Sequence, residues 1–290
     1  MKAGVARMSL DRPMRARGRA RRLRVDVPFL ASALLLVLVL CMAIFPSAFA
    51  TYSPLQVDAQ AALARPGAAY LLGTDEYGRD IYSRLVYGAR SSMAVGLGSA
   101  ALSVCLGVPL GLVSGYCGGM VDAVTGRVLD AVLSFPSMLL AILIMSIFEA
   151  NVYSLIATIG IVNFPRFSRI VRGEVIALRG REFVEAARAM GSPPGRILTS
   201  HLLPNCLPSR AVQGGLLAAV AVLIEGGMSF LGLGIQPPTP AWGSMVRSAQ
   251  MYWDVAPWYT LAPGLMIVLV VVAINVVADS LRDSLFKRAA

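Results

Sequence analysis

Residues 28–50, PFLASALLLVLVLCMAIFPSAFA, run for 23 positions without one ionisable side chain. As a helix, at about 1.5 Å per residue, they cover roughly 34 Å, enough to cross the hydrocarbon of a bilayer. In lipid the backbone must satisfy its own hydrogen bonds, so a stretch like this commits the chain to a helical membrane architecture. The pattern repeats at residues 93–116, 131–148, 152–165, 211–233 and 258–278. Six spans result, in an all-α membrane protein. The fourth, 152–165, is the shortest, reaching only about 21 Å, and its helix is expected to run on past Arg166. Pro136 is expected to kink the third, with Asp122, Arg127 and Asp130 at its aqueous end. Composition agrees: 57% of the chain is hydrophobic and 14% charged, against about 25% charged in soluble domains.

The first span has competing readings. Arg21-Arg22 ahead of it and Ser-Ala-Phe-Ala at 47–50 resemble a signal peptide and its cleavage site. The uninterrupted run before Pro46 is 18 residues, longer than the roughly 7–15 of a signal core. It reads as a retained helix.

Charge sets the topology. Residues 1–27 form a basic tail with nine Lys or Arg and two Asp. Six spans put both termini on one side. That side collects 21 Lys and Arg, eight of them in residues 166–210, and the other side has five. The positive-inside rule makes the richer side cytoplasmic. It also accounts for the net charge of +10 without nucleic acid, since the basic residues are not interleaved with stacking aromatics. The chain divides into the tail 1–27, the first span 28–50, an extracytoplasmic segment 51–92, a five-helix core 93–284 and a short tail 285–290.

Several chemistries are excluded. The only lysines are Lys2 and Lys287, and neither can close a GxxxxGK[ST] phosphate loop. His201 is the single histidine, so neither HExxH nor a multi-histidine metal site exists. Cys41, Cys105, Cys117 and Cys206 form no CxxC pair and read as small apolar fillers. No cofactor, metal or catalytic residue is expected in the chain itself.

Packing leaves a signature in the second span. Ser99, Ser103, Gly107, Gly111 and Gly115 recur at spacing four, a small-residue ridge on which another helix can lie closely.

Residues 179–205 read RGREFVEAARAMGSPPGRILTSHLLPN. Phe183, Ala186, Ala187 and Met190 share one apolar face of a short helix. Arg181, Glu185 and Arg188 can pair on the other. Gly191 fits the C′ position, followed by a Pro-Pro stop, and a second short helix over about 195–203 should end before Pro204. Such a helix is a small stiff knob, suited either to a groove on a partner or to lying on lipid.

The string resembles the EAA loop of ABC importer permeases, with EAA at 185–187, Gly191, and Leu203-Pro204 at the expected distance; His201 stands where Ile is usual. LGTDEYGRDIYSRLVYGAR at 72–90, SFLGLGIQPPTPAWGSM at 229–245 and APWYTLAPGL at 256–265 are similar to the C-type permease of dipeptide, oligopeptide and nickel importers. One departure is Asn163-Phe164-Pro165, where a Trp-containing stretch is common. The resemblance implies a type I ABC importer permease of six helices in the bacterial inner membrane. It implies a sister permease, an extracytoplasmic binding protein and two cytosolic ATPases that hold ATP and Mg. Phe183, Glu185, Ala186, Ala187, Met190, Gly191, His201, Leu203 and Pro204 would form the ATPase-coupling loop. Nickel chelates or glutathione-like ligands are alternative cargo, and a stand-alone secondary transporter is the alternative of another class.

Other positions keep two readings each. Glu225 is an intramembrane carboxylate, either on the pathway or a structural hydrogen-bonded group. Asn275 is expected to bond between helices. Asp75, Glu76, Arg79 and Asp80 form either a solvated turn or a docking surface. Trp242, Trp253, Trp258, Tyr252 and Tyr259 either anchor at the interface or touch the binding protein.

Overall fold

A computed structural model describes residues 27–289. In chain order the helices are α1 (Val27–Ile44), the short α2 (Pro46–Phe49), α3 (Ile81–Cys117), α4 (Gly119–Leu133), α5 (Ser137–Met145), α6 (Val152–Leu178), α7 (Glu182–Ala189), α8 (Pro194–Arg196), α9 (Leu203–Phe230), α10 (Trp242–Ala249) and α11 (Pro257–Ala289). The tail and its paired arginines lie outside the described residues.

Among the described residues, four stretches are long and apolar enough to cross a bilayer: Val27–Ile44, Ile81–Cys117, Val212–Phe230 within α9 and Pro257–Asp283 within α11. The expected third span differs from its reading. The chain does not kink at Pro136; it breaks, and α4 and α5 meet at 83°. Asp122, Arg127 and Asp130 sit inside the first arm of this elbow rather than ahead of a span. Only α4 and α5 together could count as a fifth crossing. The helix of the fourth stretch does run on, to Leu178, with Pro165 inside it. Its second half carries Arg166, Arg169 and Arg172, which keeps it from being apolar throughout.

α3 and α6 are the spine. Asp80 caps α3 by accepting from the Ser83 backbone N–H at 2.9 Å, and Asn151 caps α6 through Ser154 at 2.9 Å. The small-residue ridge packs where the spacing predicts. Ser103 Oγ donates to the Gly160 carbonyl at 3.0 Å. A Cβ built on Gly111 would lie 2.6 Å from the Ser168 carbonyl oxygen, so only glycine permits the approach.

Around this pair, three clusters fill the interior. One gathers Ile81, Leu85, Met93, Val222, Trp242 and Tyr259, and a second Leu155, Ile159, Ile224 and Met228. The third holds Leu112, Phe167, Val171, Val175, Val184, Ala187 and Leu202 at the α7 end. α1 lies on the outside, where Leu30, Leu34 and Val37 are exposed and only Val39 is buried, as a lipid-facing helix requires.

Candidate functional site

Residues 179–205 gather at one end of the bundle, beneath the α3–α6 spine. α7 covers Glu182–Ala189. Its end is set by Gly191 in the left-handed region at φ +74°. The Gly191 N–H donates to the Arg188 carbonyl at 2.9 Å and the Ser192 N–H to Ala187 at 3.1 Å, the paired bonds of a Schellman cap.

The face that α7 buries is not the expected one. Val184 and Ala187 are fully buried and join the core at this end, while Phe183, Ala186 and Met190 stay open, Met190 at 77% exposure. Sequence reasoning grouped Ala187 with the open residues and missed Val184. The i,i+3 pair Val184–Ala187 was the available signal, masked by a second apolar stripe one residue away. The expected ion pairs of Glu185 do not form: Glu185 is exposed, and Arg188 stands over the Tyr116 ring at 5.1 Å.

The chain does not stop before Pro204 either. α8 passes into a π turn, Ile197–Leu202, which runs on into α9. Pro204 follows directly on the π turn, and its missing N–H leaves a gap in the backbone ladder where the turn passes into α9. Of this group, Leu203 is half-buried against the core, His201 intermediate and Pro204 exposed. The His201 carbonyl accepts from Asn205 Nδ2 at 2.6 Å.

The opposite end is built from residues 51–80 and α10. Asp75 is wholly buried. Its carboxylate takes the Arg79 Nε at 2.6 Å, the Arg84 Nε at 3.4 Å and the backbone N–H groups of Tyr77 and Arg79, each at 2.9 Å. Arg84 also donates to the Pro54 carbonyl at 3.1 Å. Tyr259 donates to Glu76 at 2.7 Å, and Thr51 to Asp80 at 3.0 Å. The reading of Asp75, Glu76, Arg79 and Asp80 as a solvated turn or docking surface is therefore corrected. These charges are turned toward one another inside the fold, and three of their partners, Arg84, Tyr259 and Thr51, lie on other segments.

Trp242 and Tyr259 are fully buried rather than interfacial. The Trp242 indole donates to the Leu85 carbonyl at 3.0 Å. Trp253 is half exposed. Glu225 is fully buried, with Ser229 Oγ of the same helix, α9, donating to it at 2.8 Å. Asn275 bonds within its own helix, to the Val271 carbonyl at 2.9 Å, not between helices. Cys206 is buried, and burial pushes its thiol up.

A family model described as "Binding-protein-dependent transport system inner membrane component" matches residues 107–290. The chain is 42% identical over 244 residues to the dipeptide transport system permease protein DppC of Alkalihalophilus pseudofirmus, covering 84% of this chain and 80% of that one. It is 38% identical over 262 residues to the di/tripeptide transport system permease protein DppC of Pseudomonas aeruginosa, covering 88% and 86%. It is 37% identical over 220 residues to the glutathione transport system permease protein GsiD of Pectobacterium atrosepticum, covering 76% and 73%. Among solved structures, a chain of the inward-facing MetNI methionine ABC transporter superposes with a TM-score of 0.56 at 19% identity, covering 67% of this chain and 93% of that chain. That likeness bears on the fold alone.

Proposed function

Because the chain belongs to the family of binding-protein-dependent transport system inner membrane components, we propose that it is the permease subunit of an ATP-driven importer for short peptides. It forms half of a translocation pathway with a sister permease. With the α4–α5 pair taken as one crossing and the apolar first half of α6 as another, beside the four long spans, six crossings would place both termini and α7 in the cytoplasm, and an extracytoplasmic binding protein delivers substrate at the α10 end. Two cytosolic ATPases hold the ATP and Mg; this chain breaks no covalent bond. ATP binding draws the ATPases together, and the permease pair tilts between inward- and outward-facing states as rigid bodies.

The observation that carries this reading is the open stripe on α7. Phe183, Ala186 and Met190 present apolar surface beside Glu185, on a helix stiffened by its cap and wedged from behind by Val184 and Ala187. An apolar helix face seated in a partner's groove is a standard recognition mode. Glu225, enclosed at the far end, remains the pathway candidate. The names of the peptide permeases among the relatives support the cargo class. The glutathione permease supports a second reading, a glutathione-like tripeptide.

The test is affinity purification from the native membrane in mild detergent, comparing Ala186→Glu with Ala187→Glu. Ala186→Glu is expected to keep the fold and the sister permease and to lose the ATPases. Ala187→Glu buries a charge and is expected to unfold this end of the molecule. A native chain that purifies alone and carries flux without ATP would sink the importer reading in favour of a secondary transporter. Competition of labelled dipeptide uptake by glutathione separates the two cargo readings.

A further inference from the structure

The last turn of α3 touches three different elements through three consecutive residues. Ser114 Oγ donates to Asp122 of α4 at 2.6 Å. The Gly115 carbonyl accepts from Arg179, at the end of α6, at 3.1 Å. The Tyr116 ring underlies Arg188 of α7 at 5.1 Å. Asp122 is in turn gripped by Arg172 of α6, whose Nη2 donates to Oδ2 at 2.6 Å and whose Nε reaches Oδ1. A two-pronged arginine–carboxylate pair fixes orientation as well as distance. This pair is partly buried, at 35% and 21% side-chain exposure, and so is less screened than the open pair Arg169–Asp130, at 52% and 62%.

The corner where α4 leaves α3 is built to turn. Gly118 and Gly119 both lie in the left-handed region, at φ +64° and +53°, which glycine adopts without strain. Beyond the corner, α4 carries α5 at 83°, and the Met138 side chain of α5 meets α9 at Gly227. Two ion pairs tie the elbow to α6 beyond this corner, Arg172–Asp122 close to the glycines and the more open Arg169–Asp130 further along α4.

We propose that Asp122 and Arg172 form a positioning clasp that makes the α4–α5 elbow follow the coupling helix α7. α3 and α6 move as one body because the glycine ridge locks them. α7 is tied to that body by Val184, Ala187 and the Arg188–Tyr116 contact. The clasp extends the same body to the elbow, so a displacement imposed on α7 reaches α5 and its contact with α9. This rests on the coupling reading above and assigns it a route. It also gives work to arginines of the 166–210 stretch that topology alone explains only as positive charge.

The experiment uses the complete importer in proteoliposomes, with its sister permease, ATPases and binding protein, scoring labelled dipeptide taken up per ATP hydrolysed. Asp122→Asn is expected to assemble and hydrolyse ATP while uptake per ATP falls about fivefold or more, the lower range of measured coupling energies. Asp122→Glu, which keeps the charge, is expected to recover most of it. Should Asp122→Asn fail to assemble, Ser114→Ala decides in the same assay, with a smaller fall in the same ratio expected. An unchanged ratio in an assembled variant overturns the clasp and leaves the coupling reading intact. So does a parallel loss of uptake, hydrolysis and assembly in all three variants, which is a structural role only. A native complex without ATP-dependent uptake removes the coupling reading itself, and the clasp with it.

Discussion

The two ends of the bundle differ in how they treat their charges and their apolar residues. At the α10 end, four ionisable side chains are folded inward around Asp75 and Asp80, and the large aromatics Trp242 and Tyr259 are sealed. At the α7 end, Glu185 and Met190 point outward and the apolar stripe has no intramolecular cover. The first end turns its charges and these two aromatics inward, leaving Met251 and Trp253 exposed. The second is rigid but unfinished, which is what a docking element needs: side chains held in place whose burial is left to a partner.

Variants can break this contrast at either end. Asp75→Ala should have the largest effect. It strands Arg79 and the buried Arg84 without their counter-charge, at a cost of about 3–5 kcal/mol. Thermal unfolding in detergent should show the drop, and native stability would mean the network is dispensable. Trp242→Phe removes one buried hydrogen bond, while the Leu85 carbonyl, inside α3, still accepts within its own helix, for about 0.5–1.5 kcal/mol in the same assay. Met190→Ser, at the open end, should change stability by less than about 0.5 kcal/mol while weakening retention of the ATPases on affinity beads. A large stability loss there would show that the stripe packs against this chain after all.

The sequence discloses these regions unequally. The ridge from Ser99 to Gly115 is legible because spacing four has one physical use on a helix, and α6 answers it at Gly160, Ser168 and Val171. The Gly191 cap is legible for a similar reason. The inward face of α7 is not, because an eight-residue helix offers two overlapping apolar stripes and only its surroundings choose between them. The charges at 75–80 look solvated because the decisive partner, Tyr259, lies 183 positions away from Glu76. The elbow is hidden because residues 131–148 are apolar enough for a straight span, and nothing local separates a kink at Pro136 from a right-angled break. Asn275 misleads by a simpler route, since its own helix supplies an acceptor one turn back.

α3 spans Ile81–Cys117, 37 residues, or about 55 Å of rod. The hydrocarbon core is about 30 Å thick, and the whole bilayer with headgroups about 40–45 Å. Upright, the rod overshoots the headgroups by at least about 10 Å; to hide within them it must lean steeply. Lean trades against local bilayer thickness, and this rod carries the Asp75–Arg84 network at one tip and the Ser114–Tyr116 contacts at the other. Membrane thickness is thus a mechanical variable for this protein: a thinner or thicker lipid bed changes the angle at which one tip is presented when the other is pulled.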